Sequence, residues 1–69
     1  MLRQIVESSA LRSIGYDEEK MILEAEFKSG KVYQYNEVPM EVFQNLINAE
    51  SKGKFFNQNI TNVYSFIKA

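Results

Sequence analysis

Residues 21–36 constrain the fold of this chain more than any other stretch. Met21, Leu23, Ala25 and Phe27 alternate with Glu24, Glu26 and Lys28. Successive side chains of a strand point to opposite faces, so the run reads as a half-buried strand over 21–28. Ser29-Gly30 follows and suits a two-residue hairpin turn, because glycine takes positive φ at no steric cost. Residues 31–36 then form the returning strand. A strand over 11–17 precedes them, closed by the polar run Asp17-Glu18-Glu19-Lys20, and residues 4–8 make a shorter candidate. Residues 11–36 therefore predict an antiparallel meander.

The second half changes period. After Pro39, which fits a first helical turn, Val42, Phe43, Leu46, Ile47 and Ala49 follow a stripe of helical spacing. Ser51 can end this helix or cap a second one over 52–60, its hydroxyl accepting from backbone N–H groups two or three residues on. Gly53 costs that second helix about 1 kcal/mol of propensity. Residues 61–69 mix helical spacing with β-forming residues and are assigned as extended. Phe55 and Phe56 are adjacent, about 100° apart on a helix, so one ring belongs to the core and the other to the sheet or a partner. The expected architecture is α+β, a three- to four-stranded antiparallel sheet covered on one face by one or two short helices, in a single domain over 1–69.

Composition then removes whole classes of function. Among 69 residues there is no cysteine and no histidine. Disulfides and thiolate chemistry are excluded, and the commonest general base and the commonest metal ligand are missing. No cofactor and no metal are expected. No apolar run approaches the roughly 20 residues that cross a bilayer, and Met1-Leu2-Arg3-Gln4 does not lead into a signal-type apolar segment; a cytoplasmic protein without membrane contact is expected. Glu24 and Glu26 share a strand face, but nothing in their surroundings suggests the burial that general acid–base work needs. The serines have neither a histidine nor a nucleophile-elbow motif beside them. The chain is read as a non-enzymatic binding module.

Two places carry that reading. Tyr33 and Tyr35 lie on the same face of one strand. A two-residue turn pairs Phe27 with Val32, Glu26 with Tyr33 and Glu24 with Tyr35, so both tyrosines look away from the helices and form a platform on which bases can stack. A longer turn flips the register and places both under the helices. The second place is Ser51-Lys52-Gly53-Lys54, where a helix start offers free N–H groups and Asn57 an amide, a setting for a phosphate or carboxylate. The charge is uneven: residues 17–50 hold eight acids and three lysines, whereas residues 51–69 hold Lys52, Lys54 and Lys68 with no acid. A net charge of −1 argues against gripping a long nucleic acid by its phosphates.

Tyr16-Asp17, Leu23 to Phe27, Gly30, Tyr33-Gln34-Tyr35, Val38-Pro39, Ala49 to Asn57 and Ile60 together resemble the KTSC domain, over about residues 6–64. That family takes its name from a C-terminal appendage of some lysyl-tRNA synthetases and also occurs as small single-domain proteins. The resemblance implies an RNA-linked role through that attachment. It carries over Tyr33, Tyr35, Ser51, Gly53, Phe55, Phe56 and Asn57 as positions matching the family pattern, and no catalytic residue. The expected ligand is thus RNA or a small nucleotide, held by Tyr33, Tyr35 and the Ser51–Asn57 turn with Lys52 and Lys54. The alternative is a protein-interaction or homo-oligomeric module, favoured by a thin core and aromatic surface.

Overall fold

The alternating stretch folds as a hairpin. In the computed structural model, which describes residues 3–69, β3 (Ile22–Phe27) pairs antiparallel with β4 (Val32–Tyr35). Met1 and Leu2, the start of the segment read as lacking a signal-type run and of the 1–69 domain, lie outside the described residues. β1 (Arg3–Ile5) and β2 (Leu11–Asp17) precede the hairpin, α1 (Met40–Ile47) and α2 (Lys52–Asn59) follow it, and β5 (Phe66–Lys68) ends the chain. The strands form one sheet in the order β1-β2-β3-β4-β5, and every neighbouring pair is antiparallel. The α+β meander is as expected, with five strands where three or four were predicted. The fifth comes from the tail, extended only over its last part. Thr61, Val63 and Tyr64 instead continue from α2 in turns, their N–H groups donating to Phe56 and Ile60 carbonyls. The first strand is shorter than its predicted span, and Val6 to Ser8 lead out of it.

The hairpin turn differs from the prediction, and the difference matters. Lys28, Ser29 and Gly30 form a three-residue connection, closed by Phe27 N–H donating to the Lys31 carbonyl at 2.9 Å and Gly30 N–H donating to the Phe27 carbonyl at 2.9 Å. Gly30 has φ +95°, where a Cβ would be strained although no atom stands within 4 Å of it. The longer connection pairs Glu26 with Val32, Ala25 with Tyr33 and Leu23 with Tyr35. This is one residue out of the two-residue-turn register, and such a slip moves every side chain of the returning strand to the other face. Tyr33 and Tyr35 therefore lie on the face of Leu23 and Ala25. A bulge resets β2 in a similar way: Leu11 pairs with Phe27 and Ser13 with Glu26, so Arg12 is the extra residue and is exposed. Beyond the bulge Ile14 and Tyr16 point to the same face as Leu11.

Both helices cover that face. Leu11, Ile14, Leu23, Ala25, Tyr35, Val38, Leu46, Phe56 and Ile60 are buried as one cluster, with Val42, Phe43 and Phe55 packed half-buried against it. Pro39 is the N-cap of α1 rather than its first helical residue. The approach is fixed by Val38 N–H donating to the Met21 carbonyl at 2.9 Å and by the Tyr16 hydroxyl donating to the Val38 carbonyl. Tyr16 also stacks on Phe43, centroids 4.9 Å apart. Ser51 caps α2 as expected, its hydroxyl accepting from Lys54 N–H at 3.3 Å.

The other face of the sheet carries polar pairs. Glu24 accepts from Gln34 Nε2 at 2.8 Å and pairs with Arg3 Nε at 3.3 Å, while Ser13 Oγ donates to Glu26 at 2.9 Å. Among the described residues no helix is long and apolar enough to cross a membrane.

Candidate functional site

Tyr35 is not a platform residue. It is 2% exposed, with Phe56 edge-on at 5.2 Å and Phe66 tilted at 5.4 Å. Its hydroxyl titrates above the ordinary tyrosine value, chiefly because burial disfavours the phenolate and secondly because of Tyr33. The outward pair predicted from the two-residue turn is thereby corrected, since the three-residue connection turns both tyrosines under the helix side. Tyr33 is half-buried and keeps an accessible part. Phe27 meets it edge-on at 5.6 Å and Phe66 tilts against it at 5.0 Å.

The flipped register also changes the electrostatics. In the two-residue-turn pairing, Glu24 and Glu26 stand beside the tyrosines. In the fold they point to the opposite face and are engaged there by Arg3, Gln34 and Ser13. Lys68 instead is the direct partner of Tyr33 on β5, and directly paired residues of an antiparallel ladder share a face.

In the Ser51–Asn57 turn the side chains divide between internal tasks and solvent. Ser51 is occupied as the cap, and Lys52 Nζ donates to the Ala49 carbonyl at 3.3 Å. Gly53 faces the loop after β1, where an added Cβ would stand 3.2 Å from Ser8 Oγ and 3.9 Å from the Ala10 Cβ. That Ser8 hydroxyl accepts from Ala10 and Leu11 N–H groups, both at 3.3 Å. Gly53 thus lets α2 sit close on this loop. Phe56 is the core ring of the aromatic pair, against Phe27 and Tyr35, and Phe55 packs half-buried at the edge of the cluster. Lys54 and Asn57 are exposed.

The same loop forms one side of an open cleft of about 370 Å³. Its lining comprises Ser9 and Ala10 of the loop, Phe27 and Tyr33 from the paired strand ends, and Lys28, Ser29 and Lys31 of the connection between them. No acidic residue lines it. Among the described residues the ion pair formed is Arg3–Glu24, so Lys28, Lys31 and Lys68 are without carboxylate partners. The fold brings Tyr33 together with these groups and leaves Tyr35 in the core. Ala10 both lines the cleft and contacts the Gly53 position, so the Lys52–Lys54 helix start lies across a single loop from it. The sequence reading passed over Phe27, Lys28, Ser29 and Lys31. The Lys-Ser-Gly-Lys turn between two aromatics was a signal available for them, but a two-residue turn sends those aromatics to opposite faces. Among the described residues no group of three or more acidic side chains is placed to hold a metal ion.

A five-stranded antiparallel meander with two short helices on one face, and an aromatic cleft where its central hairpin turns, defines a small α+β domain. Residues 7–64 match the KTSC domain, and the chain belongs to that family. An uncharacterised protein of Stutzerimonas stutzeri is 55% identical over 58 residues, 84% of this chain and 82% of that protein. A lysine–tRNA ligase of Nostoc punctiforme is 40% identical over 60 residues, 87% of this chain but 11% of the ligase. The crystal structure of a KTSC domain protein from Yersinia pestis is 41% identical, with a TM-score of 0.96 over 99% of this chain and 96% of that one.

Proposed function

We propose that this chain is a non-enzymatic module that binds RNA or a small nucleotide at the cleft between the 8–10 loop and the Lys28–Lys31 turn. The observation that carries the reading is the pairing of an accessible aromatic, Tyr33, with unpaired lysines on a face from which Glu24 and Glu26 are turned away. Stacking a base on such a ring contributes roughly 1–3 kcal/mol, and ammonium groups beside it hold the phosphate. Tyr33 stacks the base, and Lys28 and Lys31 meet the phosphate; Gly53 at the start of α2 sits on the other side of the 8–10 loop. The occurrence of a similar segment within a lysine–tRNA ligase supports an RNA setting. A chain without histidine or cysteine, in which Glu24 and Glu26 are held in polar pairs, supports binding without bond-breaking.

Amide chemical-shift titration of the isotope-labelled protein with RNA and a nucleotide panel at low salt tests the reading. Saturable shifts at residues 9–10 and 27–33, lost in Tyr33→Ala, are expected. A panel that produces no saturable shift refutes it.

One observation favours a protein-interaction reading instead. Ile5 on β1 and Phe66 and Ile67 on β5 are 86%, 48% and 56% exposed, all on the two edge strands. Exposed apolar edges favour strand addition. Light scattering decides: a monomer at high concentration rules out self-association.

A further inference from the structure

Resting on the nucleotide-binding reading, we infer that the cleft takes one nucleoside phosphate unit, free or at an RNA end, and does not track along a strand. Three observations lead there. The first is the number of rings. Proteins that run along single strands offer successive stacking surfaces. Here Tyr35 is buried at 2% exposure, and the rings beside Tyr33 crowd against it, Phe27 edge-on at 5.6 Å and Phe66 tilted by 51° at 5.0 Å. They make one base-sized patch, not two side by side.

The second is the distribution of charge. Lys28 and Lys31 flank Tyr33 in the turn, and Lys68 stands opposite it across the ladder. Beyond them the next lysines lie across the 8–10 loop, where Lys52 already donates to the Ala49 carbonyl. Strand tracking needs a continuous positive groove, whereas this cluster centres on a single ring in a chain of net charge −1. The third is size. At about 370 Å³ the cleft lies near the lower end of small-molecule sites, roughly 300–1,000 Å³. It has room for one base and its sugar phosphate.

The test is a titration of the full chain with the four ribonucleoside 5′-monophosphates, the octanucleotide built from the tightest of them, and ribose 5-phosphate. The monophosphate and the octanucleotide are expected to bind within about threefold of each other per site, with the same shifted residues. Ribose 5-phosphate is expected to bind at least tenfold more weakly, and Tyr33→Leu to abolish the difference between it and the nucleotide. An RNA hairpin with a one-nucleotide overhang separates the sources. Binding as tight as the monophosphate's assigns an RNA end, and binding of the monophosphate alone assigns a free nucleotide; both support a single-unit site. An octanucleotide bound thirtyfold or more tightly, with shifts spreading beyond the cleft, overturns the inference while leaving nucleic-acid binding standing. Equal binding of ribose 5-phosphate and nucleotide in the unmodified protein also overturns it. Binding of none of these ligands overturns it together with the reading it rests on.

Discussion

Replacing Gly53 by alanine tests the seat of α2 on the loop beside the cleft. Within a helix the change gains roughly 0.4–1 kcal/mol, because alanine has less conformational freedom to lose. Against that, the new Cβ would stand 3.2 Å from Ser8 Oγ, so the hydroxyl must retreat by a few tenths of an ångström. It already accepts from Ala10 and Leu11 N–H groups at 3.3 Å, the outer limit of a useful hydrogen bond, and retreat weakens both. Each such bond contributes about 0.5–1.5 kcal/mol net. Where the weakening of both bonds outweighs the helix gain, G53A destabilises the domain by about 0.5 kcal/mol. For a chain of this size that corresponds to a fall in Tm of roughly 2–4 °C. The decisive measurement is the same change in a Ser8→Ala background. S8A alone removes both bonds and costs about 1–2 kcal/mol. With the hydroxyl gone the Cβ meets no close atom but the Ala10 Cβ at 3.9 Å, an ordinary contact, so the helix gain stands alone and G53A becomes stabilising. Urea unfolding of the four proteins measures both signs. Equal effects of G53A in the two backgrounds refute the close-approach argument.

Phe56→Ala should cost about 3–5 kcal/mol, since the ring is 1% exposed and touches both Phe27 and Tyr35. A domain of this length has only roughly 3–10 kcal/mol to lose, so the variant should be largely unfolded by circular dichroism, whereas Phe55→Ala, at the edge of the cluster, should remain folded. Alkaline unfolding should report Tyr16 and Tyr35. Both are raised above the usual tyrosine value, Tyr16 by burial, then Glu18, then Asp17. The unfolded chain therefore loses these protons first, and the stability they carry is intact below about pH 10 and is lost as pH rises through the folded values. Tyr16→Phe should lower stability by about 1 kcal/mol at neutral pH by removing the bond to the Val38 carbonyl, and should flatten the alkaline decline; an unchanged decline in both Tyr16→Phe and Tyr35→Phe rules this account out.

The strand over 21–28, the capped helix starting after Ser51 and the helical stripe beyond Pro39 were legible because each follows from local periodicity or a local hydrogen bond. Ser51 takes its partner three residues away, and a distance that short can be read from spacing alone. The tail was legible only in part. Its β-forming residues predict an extended segment, but where the turns give way to β5 depends on Asn36 N–H finding the Ser65 carbonyl, a partner 29 positions distant.

The functional reading follows the same division. Tyr33 was recognisable as a candidate by its residue type and strand position, and it lines the cleft. Lys28 and Lys31 were not, because the number of residues in the turn between them decides which faces their neighbours occupy.

By itself the sequence determined the α+β class, the central hairpin, one or two short helices, and a chemistry without histidine or cysteine. These rest on composition and on contacts between near neighbours in the chain. Only the tertiary structure decided that Tyr35 is core, that Glu24 and Glu26 face away from Tyr33, and that lysines surround it. Those outcomes hang on one residue of register between β3 and β4. The physical reason is that strand side chains alternate with a period of two, so local pattern specifies two faces equally well. It takes the backbone of the Lys28–Lys31 turn, with Gly30 at positive φ, to choose between them.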